Sequence, residues 1–146
     1  MRRGSAKIGT SETPLNRSSP ESTCMSDRIN ISSGSPYEAQ MGYSRAVRKG
    51  DFVFVSGTTA GDVGENAADQ AREVFRRIGA ALEQAGASLS DVVRTRVYLA
   101  DIADFDAVGD VHGEVFGEIR PSIVILAVAG LAAPGLKVEI EADALI

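Results

Sequence analysis

The chain has 146 residues, of which 44% are hydrophobic and 24% charged, and a formal net charge of −5; it reads as one globular domain, long enough to bury most of what its unfolded form exposes. The acidic balance counts against a nucleic-acid partner, which needs a basic track, and Arg45, Arg48 and Lys49 are the strongest cluster in the folded part. No apolar run is long enough to cross a membrane, and the lone Cys24 allows neither an internal disulfide nor a cysteine-based zinc site.

Residues 1–27 are rich in Ser, Thr, Pro, Gly and charge and have almost nothing to bury. They are expected to form a disordered extension ahead of a domain spanning 28–146. Arg2-Arg3 has the charge of a signal-peptide n-region, but no apolar h-region follows it, and a cytoplasmic protein is the simplest expectation. Met25 stands where order is expected to begin and is a candidate start of translation.

Arg28 to Ser32 alternates as a short strand, and Ser33 to Gly42, with Gly34 and Pro36, reads as a loop. Tyr43 to Arg48 and Asp51 to Ser56 read as strands flanking Lys49-Gly50, a hairpin-like pair. Gly57 to Glu65 reads as a loop punctuated by three glycines. Asn66 looks like an N-cap with Asp69 three residues on. Ala71, Val74, Phe75, Ile78, Ala81, Leu82 and Ala85 then follow helical spacing until Gly86.

Asp91 to Leu99 is expected as a strand with Val93, Thr95, Val97 and Leu99 on one face. Phe105, Val108, Val111, His112, Val115 and Phe116 mark a second helix, weakened by Gly109 and Gly113. Ser122 to Val128 is an almost unbroken apolar run, which suits a strand covered on both faces. A Gly/Pro turn through Gly130, Pro134 and Gly135 leads to Lys137 to Ala144, where charged and apolar residues alternate without a fault. The order β-β-β-α-β-α-β-β implies an α+β sandwich, a sheet with two helices on one face. Nothing in the chain is left to cover the other face, which calls for a partner, most simply a second copy.

Four stretches together resemble the Rid family, the reactive intermediate deaminases also called YjgF or L-PSP. They are Tyr43-Ser44-Arg45-Ala46-Val47 with Phe54-Val55-Ser56-Gly57, Thr95 to Phe105, Arg120-Pro121-Ser122, and Val138 to Ala142. The resemblance implies a homotrimer of chorismate-mutase-like fold, a mixed sheet backed by helices, with small-molecule clefts between subunits; no cofactor is expected, and one His and one Cys are too few for a transition-metal site. Deaminase-type members hydrolyse reactive enamines and imines such as those released by amino-acid dehydratases. Their motif sets a Tyr, a Ser, an Arg and a Glu in the cleft. Tyr43, Ser56 and Glu139 match, with Glu139 the expected catalytic residue, but the place of the arginine falls on Ile123.

That arginine grips the substrate carboxylate as a two-pronged donor, and losing such a charged hydrogen bond costs about 1.5–3 kcal/mol. Ile123 therefore implies a C=N substrate without the usual carboxylate anchor. Arg120, Arg94, Arg96 and Arg45 are substitutes that nothing in the sequence places in the cleft. Read from the residues alone, Glu139 is one charge of a solvated strand face, Tyr43 an aromatic closing a sheet edge, and Ser56 the end of a strand. His112 is expected to be a satisfied, partly buried histidine rather than a catalytic one. Two other functions stay open: a non-catalytic metabolite-binding trimer, and the family's older endoribonuclease label, against which the acidic balance counts.

Overall fold

The computed structural model describes residues 27–146. The expected extension lies, but for Asp27, outside the described residues, and so do Cys24 and Met25. Six strands form one sheet: β1 (Arg28–Ile31), β2 (Ala46–Lys49), β3 (Phe52–Thr59), β4 (Val92–Leu99), β5 (Ser122–Ala127) and β6 (Val138–Leu145), in the order β1-β2-β3-β6-β4-β5. All neighbours pair antiparallel except β4 and β5, so the sheet is mixed. The period-two pattern of β6 explains its central place. Val138, Ile140, Ala142 and Ala144 are buried, while Glu139, Glu141 and Asp143 point to the other face.

The helix-side layer is equally sequence-driven. Asn66 caps α2 (Ala67–Gln84) by accepting the Asp69 amide at 2.8 Å, and Gly86 follows the last turn at φ 80°. The apolar stripe Ala71, Val74, Phe75, Ile78, Ala81 and Leu82 is buried against the sheet and against α3 (Phe105–Phe116). α3 contributes Val108, Val111, His112 and Phe116 to the same core. His112 bonds Thr95 Oγ1 at 2.8 Å and packs edge-on to Phe75, as expected of a satisfied buried histidine.

Burial holds the His112 imidazole below its ordinary pKa. The unfolded chain therefore binds a proton more readily than the fold does, and stability rises with pH across that window. Stability is expected to be full above about pH 6.5, the ordinary histidine value, and to fall on acidification below it. Urea unfolding at pH 7.5 and 5.5 checks this. The drop between the two should be larger for the wild type than for His112→Gln.

Four features depart from the sequence expectations. Ser33 to Gly42 is not all loop. Pro36–Met41 is a short helix, α1, whose cap Ser35 accepts the Tyr37 amide and whose C-terminus closes on Gly42 at φ 71°. Pro at the first turn, a serine before it and a glycine after it were the signals, masked by the brevity of the element. β2 begins at Ala46 rather than Tyr43, and β3 runs on to Thr59 through an irregularity. In β4, Val93 is the extra residue of a bulge opposite Ala144 and Asp143, so Val92 rather than Val93 is buried.

The largest departure is β5. It does not pair with β6, because β4 lies between them, and it is an edge strand. Of its residues only Ile125 is half-buried, and the rest are exposed. Its apolar character is thus not satisfied among the described residues. The open face of the sheet carries Phe52 and Phe54, stacked 6.1 Å apart, and an ion-pair ladder in which Arg96 bonds Glu141 and Asp143 at 3.1 and 3.2 Å.

Candidate functional site

The site begins with a fault in the sheet. Val55 pairs with Ala142 and Thr58 with Ile140, so three steps along β3 oppose two along β6 and one residue is extra at Ser56-Gly57. Four bonds lock this bulge. Ser56 Oγ donates to the Ser44 carbonyl at 2.6 Å, and the Ser56 amide donates to the Arg45 carbonyl at 3.0 Å. Thr58 Oγ1 donates to the Ser56 carbonyl at 2.8 Å, and Arg45 Nη2 to the Gly57 carbonyl at 2.6 Å.

Glu139 on β6, opposite Thr59, lays its carboxylate against this bulge. A Cβ at residue 57 would overlap Glu139 Oε1. The glycine is required by the close approach, not by backbone angle. Among the described residues no side-chain or backbone group hydrogen-bonds the Glu139 carboxylate, which is half-buried and free to act on a ligand or water.

Around the bulge lies a cleft of about 1280 Å³. One wall is the segment Ser32 to Ser35 with Tyr37 and Met41 of α1; the opposite wall is Arg76, Arg77 and Ala80 of α2. Tyr43, Arg45, Ser56 and Glu139 all line it, together with Ala132, Ala133 and Leu136 from the β5–β6 connection. Each wall is tied down. Glu38 accepts from Ser32 Oγ and from the Ser33 amide and hydroxyl, and these bonds lower its pKa. The buried Gln70 side chain donates to the Gly64 and Gly135 carbonyls at 3.1 and 2.9 Å and accepts the Lys137 amide at 2.8 Å, which pins the β5–β6 connection over the cleft.

The three cleft arginines differ in what they are free to do. Arg76 grips Glu73 with two bonds of 2.7 Å, and Arg77 binds both Glu73 at 2.7 Å and the Thr59 carbonyl at 3.0 Å. The bonds from Arg76 and Arg77 pull the Glu73 carboxyl down to about 2. Arg45 has no such carboxylate partner among the described residues. Its guanidinium lies 5.9 Å from the Tyr43 ring centre, and its buried Nε finds no acceptor among the described residues. Desolvation lowers the Arg45 pKa, but a guanidinium remains protonated at neutral pH.

Of the four residues the sequence nominated, the structure brings together Tyr43, Ser56 and Glu139. Ser56 spends its one hydroxyl proton on the Ser44 carbonyl, so toward a ligand it offers only acceptor lone pairs. Ile123 lies two strands beyond β6, in a shallow groove of about 210 Å³ with Arg94, Arg96, Ser122 and Val124. Within one chain it does not reach the cleft. Arg120 turns its Nε onto the Gly117 carbonyl, so of the four substitute arginines only Arg45 stands beside Glu139. In the sequence it stands only as one of the basic cluster with Arg48 and Lys49, two residues after Tyr43. No group of three or more His, Cys, Asp or Glu among the described residues is placed to hold a metal ion.

The family model described as Endoribonuclease L-PSP matches residues 34–146. The chain is similar to the crystal structure of Rv2704 from Mycobacterium tuberculosis, a member of the YjgF/YER057c/UK114 family. The TM-score is 0.78 at 54% identity, with 82% of this chain and 99% of that one covered. It is 40% identical over 119 residues to the uncharacterised protein SCO2049 of Streptomyces coelicolor, covering 78% of this chain and 89% of that protein. It is 34% identical over 110 residues to the 2-iminobutanoate/2-iminopropanoate deaminase of Dermatophagoides farinae, covering 71% of this chain and 85% of that protein.

Proposed function

The chain belongs to the L-PSP family, also called YjgF or Rid, and on that footing we propose that it hydrolyses a small enamine or imine in the cleft over Gly57. The observation that carries this is the unpartnered Glu139 carboxylate held against the β3 bulge, in one cleft with Tyr43, Ser56 and Arg45. Glu139 takes a proton from water as the water oxygen bonds to the C=N carbon, and the π electrons pass to nitrogen. An enamine first takes a proton at carbon to give the imine. Glu139 returns its proton to the nitrogen to complete the carbinolamine, and a further proton from solvent makes that nitrogen an ammonium. The hydroxyl gives up its proton as the C–N bond breaks, so that ammonia leaves behind a carbonyl compound. Tyr43 forms the apolar wall against which a small planar ligand lies. No step calls for a metal or an organic cofactor.

The same proposal includes a homotrimer. Phe52, Phe54, Val124 and Leu126 are exposed apolar side chains on a sheet that no helix among the described residues covers on that side, and β5 is an edge without a second partner among them. Ile123, at the β5 edge and outside the cleft of its own chain, is expected to reach a cleft only across such an assembly. A cytoplasmic location is part of the same reading, in keeping with a single cysteine. RNA cleavage is not favoured, because Arg76 and Arg77 are both tied to Glu73 rather than arrayed as a track for phosphates.

The test is ammonia release from 2-iminopropionate generated freshly in the assay, with and without protein, alongside the mass by light scattering. Acceleration above the spontaneous rate at a trimer mass is the expected result. A rate identical to buffer overturns the hydrolytic reading, and a monomer overturns the intersubunit arrangement.

A further inference from the structure

We propose that Arg45 anchors the anionic end of the ligand and so makes this cleft selective for a small carboxylate, taking the part that position 123 cannot. This role rests on the hydrolysis proposed above, for which it names the substrate class and the residue that chooses it. Three observations carry it. Arg45 lines the cleft with Glu139, yet the two form no ion pair, so a cation and a carboxylate face the same space and feel each other only at longer range. Its guanidinium makes a single hydrogen bond to a described residue, Nη2 to the Gly57 carbonyl, which leaves both N–H groups of Nη1 without an acceptor. The buried Nε is likewise without one among the described residues. A charged group so placed has donors to spare where water is partly excluded, the circumstance in which binding an anion gains most.

Arg45 is also pre-set. The bond to Gly57 and the Tyr43 ring fix its plane, so little side-chain freedom remains to be lost when a ligand arrives. Arg76 and Arg77, the other cations on the cleft wall, are committed to Glu73 and the Thr59 carbonyl. An imino acid fits this pair of charges: its carboxylate on Arg45, its C=N carbon turned toward Glu139. The expectation drawn from Ile123, a substrate without a carboxylate, is replaced by one in which the anchor comes from the segment just before β2.

The experiment is calorimetric titration of 2-oxobutyrate, a stable carboxylate probe of the product type, and of its neutral amide. Wild type, Arg45→Gln and Arg45→Lys are compared after circular dichroism has verified that each is folded. Wild type should bind the acid more tightly than the amide. Arg45→Gln should lose about tenfold or more on the acid, the scale of one charged hydrogen bond, with little change on the amide. Arg45→Lys should keep part of the preference. Equal affinity of the wild type for acid and amide, no binding of the acid by folded wild type, or an unchanged acid affinity in Arg45→Gln each overturns the assignment. The two readings fail separately. Arg45-dependent binding of the acid without ammonia release removes the hydrolysis and leaves the anchor. Equal turnover of imino acid by wild type and Arg45→Gln removes the anchor and leaves the hydrolysis.

Discussion

Glu139→Gln is expected to cut ammonia release by about a hundredfold or more, the scale of a general base removed from its reaction, while the protein stays folded and binds its ligand. The substitution keeps the size of the side chain and its contact with Gly57, and it breaks no hydrogen bond to a described residue. It removes only the capacity to take a proton. If Glu139 were one more charge on a solvated strand face, like Glu141 in its ion pair with Arg96, the rate would not change. A variant that binds as wild type does and turns over equally well would point to a binding protein that kept the fold without the chemistry. Comparison at equal folded concentration, with calorimetry beside the rate assay, separates these outcomes.

Gly57→Ala is expected to be nearly as damaging by a different route. The added methyl group meets the Glu139 carboxylate at a distance no van der Waals contact tolerates. Either the carboxylate swings away, or the bulge opens and strains the bonds from Arg45 and Ser56 that lock it. A swing of the flexible carboxylate relieves the overlap at small cost in stability, whereas an opened bulge costs more, on the order of 1–3 kcal/mol. By either route a displaced general base loses about a hundredfold in rate. A double-mutant cycle identifies the contact. Gly57→Ala introduced into Glu139→Ala should cost much less stability than in the wild type, since the overlapping atoms are gone. Equal costs in the two backgrounds would show that the glycine serves the backbone alone.

Much of the fold was legible because local and global signals agree. β6 shows it best: strict alternation from Lys137 to Ala144 places four apolar side chains in the core, and the central strand of the sheet is the one place where such regularity is needed. The Asn66 cap, the apolar stripe of α2 and the Gly86 stop likewise fix a helix to within a residue. What was not legible depends on single extra residues and on partners far along the chain. The bulges at Ser56-Gly57 and Val93 change which side chains face the helices, and no periodicity announces an inserted residue. β5 has the composition of a doubly covered strand but stands at an edge, because composition records what a strand needs and not whether one chain supplies it. Tyr43, Ser56 and Glu139, named from their motif, line one cleft, whereas choosing Arg45 among the four arginines required the structure. The sequence shows an arginine beside Arg48 and Lys49. Only the fold distinguishes one turned into a cleft from Arg48, which bonds the Gly50 and Ala85 carbonyls instead.

The central claim is that a small anionic ligand binds in the cleft over Gly57, between Arg45 and Glu139. Titration of 2-oxobutyrate followed by 1H–15N NMR at the Gly57 amide and the Arg45 Nε–H tests it most directly. Saturable shifts of both signals, absent in Arg45→Gln, are the expected result. Shifts confined to the groove of Arg94, Ser122 and Ile123, with Gly57 and Arg45 unmoved, would contradict it.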